Sequence, residues 1–144
     1  MLKAMSIVGF LGMASGVTAQ FATGKLFSSS PLVIAVQVGA FLLLLWARLA
    51  FGRRSFHLAA NPTEGGLVTT GPYWYVRHPI YTAFTVFSGA GVLAHWSWAS
   101  GLLGGLVVGG ALLRIFCEET LLTARYPEYR EYAARTWRML PYVF

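Results

Sequence analysis

The stretch Gly71-Pro72-Tyr73-Trp74-Tyr75-Val76-Arg77-His78-Pro79-Ile80-Tyr81 is a polar, aromatic island between long hydrophobic runs. It gathers a guanidinium, an imidazole, three phenols and an indole, and an apolar run opens at Pro79. A proline holds the residue before it in extended backbone and suits the first turn of a helix. Arg77 and His78 are therefore expected at the mouth of a helix, beside its positive end, where an anion is favoured. The plain alternative is a basic loop that anchors a membrane helix to headgroups, its aromatic residues forming an interfacial belt.

The rest of the chain makes a membrane the natural setting. Of 144 residues, 56% are hydrophobic and only 11% are charged, with a mean hydropathy of +0.59. Too few polar side chains remain to cover a soluble globule, so the expected class is all-α: a polytopic membrane protein forming a single membrane-embedded domain. The net charge of +6 is not gathered into a stripe, so it reads as a topology signal and not as a nucleic-acid footprint. The single cysteine, Cys117, excludes an internal disulfide. His57, His78 and His95 lack metal-like spacing, so no metal is expected.

Residues 4 to 24 carry no charge and contain Gly9, Gly12 and Gly16, which suits a spanning helix with a small-residue packing face. A cleaved signal peptide is the competing reading, with Lys3 before the apolar core and Val17-Thr18-Ala19 as the cleavage site. Continued apolar character beyond Gln20 favours a retained span. A second span begins at Pro31 and ends near Arg48. The segment from Phe51 to Val76 is turn-rich, with Arg53, Arg54, Asn61-Pro62 and Glu64-Gly65-Gly66, and is longer than a simple connection needs. Residues 79 to 113 are too long for one span and suit two short ones, turning at His95-Trp96-Ser97-Trp98. Gly101, Gly105 and Gly109 share one helix face, which suits packing within the chain or against a second copy. After Arg114 an amphipathic tail follows, interrupted at Pro127 and lying on the membrane surface.

The expected layout is thus about four transmembrane helices: two N-terminal spans in 1–52, a cytoplasmic loop in 53–78, a helical hairpin in 79–117 and a tail in 118–144. It puts ten basic residues on one side of the membrane and only Lys25 on the other. By the positive-inside rule both termini are expected in the cytoplasm, with the cell (inner) membrane as the location.

Arg114 and Glu118 lie one helical turn apart and suit a salt bridge, whereas Glu119 is turned about 100° away and is left free by that pairing. Together Arg77, His78, Glu118 and Glu119 suit a zwitterion, and the rings of Tyr73, Trp74, Tyr75 and Tyr81 suit a cation such as a sulfonium. S-adenosyl-L-methionine has all of these parts, although many polar ligands satisfy the same set.

The run Gly71-Pro72-Tyr73-x-Tyr75-Val76-Arg77-His78-Pro79-x-Tyr81, followed by Glu118-Glu119-x-x-Leu122 and a tyrosine-rich tail ending in Arg138-x-x-Pro141, resembles the isoprenylcysteine carboxyl methyltransferase family. That family is related to the phospholipid N-methyltransferases. The resemblance covers residues 71 to 141. It implies an integral membrane methyltransferase that uses S-adenosyl-L-methionine, with the cofactor pocket built from the last helices and the tail. By the family's motif, Arg77, His78, Pro79 and Tyr81 fall at the cofactor's amino-acid end and Glu118 and Glu119 at the paired acidic positions, with Tyr75 a further cofactor-binding position. The cofactor is expected from the cytoplasm, and a lipophilic or lipidated acceptor through the bilayer. Arg114 is the candidate for steering an acceptor carboxylate. For an amine acceptor, Glu119 or His78 is the candidate base. The tail differs from many relatives in reading Tyr126-Pro127-x-Tyr129, and the span count is lower than in eukaryotic members.

Two other functions share some of these features. NADPH-dependent sterol reductases carry a similar Arg-His-Pro stretch, but the Glu118-Glu119 pair and the short chain stand against them. A non-enzymatic helical protein would bind lipid or a partner through its glycine faces. An enzyme requires Arg77, His78 and Glu119 to converge, whereas that last reading lets them point separately to headgroups.

Overall fold

A computed structural model describes residues 1–52 and 66–144. Its helices are α1 (Leu2–Ala22), α2 (Pro31–Phe51), α3 (Pro79–Ala94), α4 (Trp98–Arg125) and α5 (Tyr129–Ala134), with a 3-10 turn at Gly71–Trp74 before α3. Among the described residues the strand-like element is a single parallel bridge between Val76 and Trp137. Arg53, Arg54, His57, Asn61, Pro62, Glu64 and Gly65 of the expected loop lie outside the described residues.

The helices begin where the chain supplies a reason. Pro31 and Pro79 occupy first-turn positions of α2 and α3, where a missing N–H costs nothing. Ser97 caps α4, its Oγ accepting from Ser100 N at 3.1 Å. α1, α2 and α4 are long and apolar enough to cross a membrane. α3 has 16 residues, about 24 Å at 1.5 Å per residue. It reaches from the level of His78 to the opposite turn, where His95 Nε2 meets Phe27 O at 2.7 Å and Lys25 Nζ donates to Ser97 Oγ at 3.3 Å.

The last helix runs further than the boundary expected at residue 118. α4 has 28 residues, about 42 Å, against a hydrocarbon core of about 30 Å. A helix of this length has turns to spare beyond an apolar core, and charged residues such as Glu118 and Glu119 are tolerable in such turns. The Thr120 and Thr123 hydroxyls are satisfied by Phe116 O and Glu119 O, each at 2.7 Å. The break comes at Tyr126, whose backbone is extended because Pro127 follows.

α1 packs along α4 at backbone distance. A Cβ at Gly9 would lie 2.7 Å from Gly110 O, one at Gly110 2.5 Å from Gly9 O, and one at Gly16 2.7 Å from the Val107 side chain. The small-residue face expected of the first span is therefore in use. The Gly101, Gly105 and Gly109 face is not: a Cβ at Gly105 or Gly109 meets nothing within 4 Å, and one at Gly101 meets only the Trp96 ring. The register of α4 turns Gly110, one residue on, toward α1 instead. α2 lies along α3, where the buried Gln37 side chain donates to Leu26 O at 2.7 Å. Gln20 of α1 donates to Ser88 of α3 at 2.7 Å, satisfying a buried amide N–H inside the apolar layer. Met13, Tyr81, Val107, Ala111, Ile115 and Met139 form the core directly beneath the charged end of the bundle.

Candidate active site

The polar island is tied to the C-terminal tail by backbone hydrogen bonds. Arg77 N donates to Trp137 O at 2.7 Å, His78 N to Arg138 O at 2.9 Å, and Trp137 N to Tyr75 O at 3.0 Å. Tyr132 adds a buried bond, its hydroxyl donating to Tyr73 O at 2.7 Å. Burial pushes the Tyr132 phenol up to about 12, so it stays neutral and able to donate. Burial, followed by the nearby Glu119 charge, likewise raises the Tyr129 phenol. His78 ends up immediately before α3 with Pro79 buried behind it, the helix-mouth position that the sequence predicts.

Side chains from α3, α4, the island and the tail then interlock. Arg77 Nε donates to Glu119 Oε1 at 2.9 Å, and its Nη1 donates to Ala133 O at 2.8 Å and to Thr136 O. His78 turns one ring nitrogen to each carboxylate, Nε2 lying 3.3 Å from Glu119 Oε1 and Nδ1 3.7 Å from Glu118 Oε2. Arg138 Nε donates to Glu119 Oε2 at 3.0 Å. Glu119 is thus not left free by the Arg114 pairing, as the helical spacing suggested. Its position 100° around α4 is what turns it toward the island and tail.

The second carboxylate has its own set. Tyr81 donates its hydroxyl hydrogen to Glu118 Oε1 and accepts from Arg114 Nε at 2.8 Å. Arg114 Nη2 reaches Glu118 Oε1 at 3.3 Å, and its guanidinium carbon lies 5.4 Å from the centre of the Phe10 ring. Arg114 is buried and paired with Glu118 one helical turn on. Tyr75, like Trp74 beside it, is exposed, and it contributes its backbone carbonyl instead of its ring.

A groove of about 700 Å³ runs along the face of α4 that carries Glu119. Leu112, Ile115 and Phe116 line one end, with Phe144 from the tail. Thr120, Thr123, Ala124 and Arg130 line the other, and Glu119 and Arg138 also face it. Arg77 and His78 do not line it; they stand behind Glu119 and hold it. Arg138, Arg130 and the two threonines are additions to the residues read from sequence. Arg138 was visible there as part of the tail motif, but its pairing with Glu119 depends on how the tail folds back.

Comparison with known proteins agrees with this architecture. No curated protein matches the chain. Residues 31–124 match the isoprenylcysteine carboxyl methyltransferase (ICMT) family. The match includes all of α2, which lies outside the resemblance over residues 71 to 141, together with the island, α3 and nearly all of α4. Because it covers well over half of the 144 residues, and because three helices are fit to cross a membrane, the chain belongs to the isoprenylcysteine carboxyl methyltransferase family and is an integral membrane methyltransferase.

Proposed function

We propose that the protein transfers the methyl group of S-adenosyl-L-methionine to a lipophilic carboxylate, with a lipophilic amine as the alternative acceptor. The observation that carries this reading is the position of Glu119: held by Arg77 and Arg138 and faced by His78, it lies in a groove that is apolar at one end and polar at the other. The groove offers the Glu119 carboxylate and the Arg130 guanidinium, opposite charges that fit the ammonium and the carboxylate of a zwitterion, with the Thr120 and Thr123 hydroxyl oxygens as acceptors. Glu119, Thr120, Thr123 and Arg130 would hold the cofactor. Bound there, it supplies an electrophilic methyl group on a sulfonium.

Arg77 and His78 act by position. Their contacts fix the Glu119 carboxylate, and the bonds of Arg77 to Ala133 O and Thr136 O fasten the tail that closes one side of the groove. Tyr81 and Arg114 do the same for Glu118. An acceptor carboxylate is already ionised at neutral pH, so no residue has to remove a proton. Rate enhancement then rests on alignment and on the exclusion of water. We also infer that both termini and the site face the cytoplasm, supported by the ten-to-one distribution of basic residues. The partners are the bilayer and the acceptor, and the open face over Gly105 and Gly109 is available to a second copy.

The test is transfer of tritiated methyl from the donor to panels of long-chain carboxylates and amines. Base-labile, volatile label identifies a methyl ester, and base-stable label identifies an amine product. No transfer to either class would contradict the proposed reaction.

A further inference from the structure

Arg138 has donors to spare, and they lie in the groove. Its Nε is spent on Glu119 Oε2 at 3.0 Å, and its guanidinium carbon lies 5.2 Å from the centre of the Phe144 ring. The carboxylate and the ring together fix the plane of the fork. Neither Nη nitrogen makes a hydrogen bond among the described residues, and the side chain is 45% exposed. Arg114 offers no such edge, because it is buried against Tyr81, Glu118 and Phe10.

Charge points the same way. Among the described residues Glu119 is the sole acidic side chain lining the groove, whereas Arg130 and Arg138 both line it. Arg77 already pairs with Glu119 from behind, so the two lining guanidiniums leave the groove cationic. An anion is therefore welcome beside Arg138, and the neighbouring walls of Leu112, Ile115, Phe116 and Phe144 suit an apolar chain attached to it.

We propose, resting on the methyl-transfer reading above, that Arg138 is the specificity-determining residue for the acceptor: its Nη groups hold the carboxylate of a single-chain amphiphile whose chain lies against Leu112, Phe116 and Phe144. The guanidinium fork matches a carboxylate with two parallel hydrogen bonds. Transfer forms a bond between a carboxylate oxygen and the methyl carbon, and breaks the bond between that carbon and the donor sulfur, which keeps the electron pair. No proton moves, and the product is a neutral ester. Arg138 thus holds the substrate by a charge that the reaction itself removes, and so favours release of the product.

The test uses the full chain in nanodiscs and compares binding of N-dodecanoylglycine with that of its methyl ester, for wild type and for Arg138→Gln, Arg138→Lys and Arg130→Gln. Wild type is expected to prefer the acid by about tenfold or more. Arg138→Gln should bind acid and ester alike, Arg138→Lys should recover part of the preference, and Arg130→Gln should keep it. Preference that survives Arg138→Gln, or that vanishes in Arg130→Gln, overturns the assignment. So does Arg138-dependent binding of dodecyl phosphate that is tighter than that of the acid, which would make the groove a phospholipid-headgroup site. Calorimetry with S-adenosyl-L-methionine on the same wild-type sample separates the two readings. Its failure would remove the cofactor reading but leave the acid-against-ester comparison intact, because that comparison needs no donor.

Discussion

Glu119 draws partners from both sides of the groove, and each supports a different function of the same carboxylate. Arg77 fastens it to the tail, while Arg138 connects it to the open groove. Removing Arg77 takes one partner from a part-buried carboxylate and leaves two tail carbonyls without their donor at once. Arg77→Ala is expected to lower stability by about 3 kcal/mol, the scale for breaking one partner of a buried pair. Arg77→Lys should recover little of it, because an ammonium lacks the planar fork that serves these acceptors together. Thermal unfolding of the detergent-purified protein checks both, and an unchanged midpoint in Arg77→Ala would contradict the fastening role. The sequence made the members of this cluster legible, since residue types and motif spacing single out Arg77, His78, Glu118 and Glu119. It did not make their pairing legible. Helical spacing assigns Arg114 to Glu118, but only the return of residues 136–139 alongside the island brings Arg138 to Glu119.

At the scale of the helices, α1 and α4 meet through glycine, and the meeting depends on register. Gly110→Ala would press a methyl group onto Gly9 O and Met13, and overpacking of this kind costs about 1–3 kcal/mol. Gly109→Ala, one residue away in open space, should be neutral or slightly stabilising, by up to about 1 kcal/mol, because alanine is the better helix former. Paired unfolding measurements test the two together, and equal effects would show that the helices do not approach as described. Here the sequence was half legible. Gly9, Gly12 and Gly16 on α1 are spaced as a packing face and serve as one. On α4 the regular repeat of Gly101, Gly105 and Gly109 marks a face that α1 does not use, because Gly110 fits no repeat and is identified only by what stands opposite. The length of α4 was hidden for a related reason: charge at Arg114, Glu118 and Glu119 resembles the end of a span, yet a helix that outruns the bilayer carries such residues without interruption.

At the scale of the whole molecule, the bundle places almost all of its acid and base chemistry at one end and ties the other with Lys25, Ser97 and His95. This polarity predicts sidedness. A cysteine introduced at Ser29 should react with a membrane-impermeant maleimide in intact cells, and one at Glu128 should react only after the membrane is opened. Cys117 is fully buried and should not contribute to the label. The reverse pattern would place the site outside the cytoplasm. All-helical membrane character was legible from composition alone, and the resemblance in residues 71 to 141 pointed to the family that the match over 31–124 establishes. The groove was not legible, because its walls come from two segments that meet only when the tail folds back onto α4.

The central claim is that this charged end binds a methyl donor. The most direct measurement is calorimetric titration of the detergent-purified protein with S-adenosyl-L-methionine and S-adenosylhomocysteine, with His78→Ala and Glu119→Ala alongside. The account predicts saturable binding to wild type that both substitutions weaken, Glu119→Ala by about tenfold or more, equivalent to about 1.4 kcal/mol. A folded protein that binds neither compound, or binds them equally well in all three forms, would contradict it.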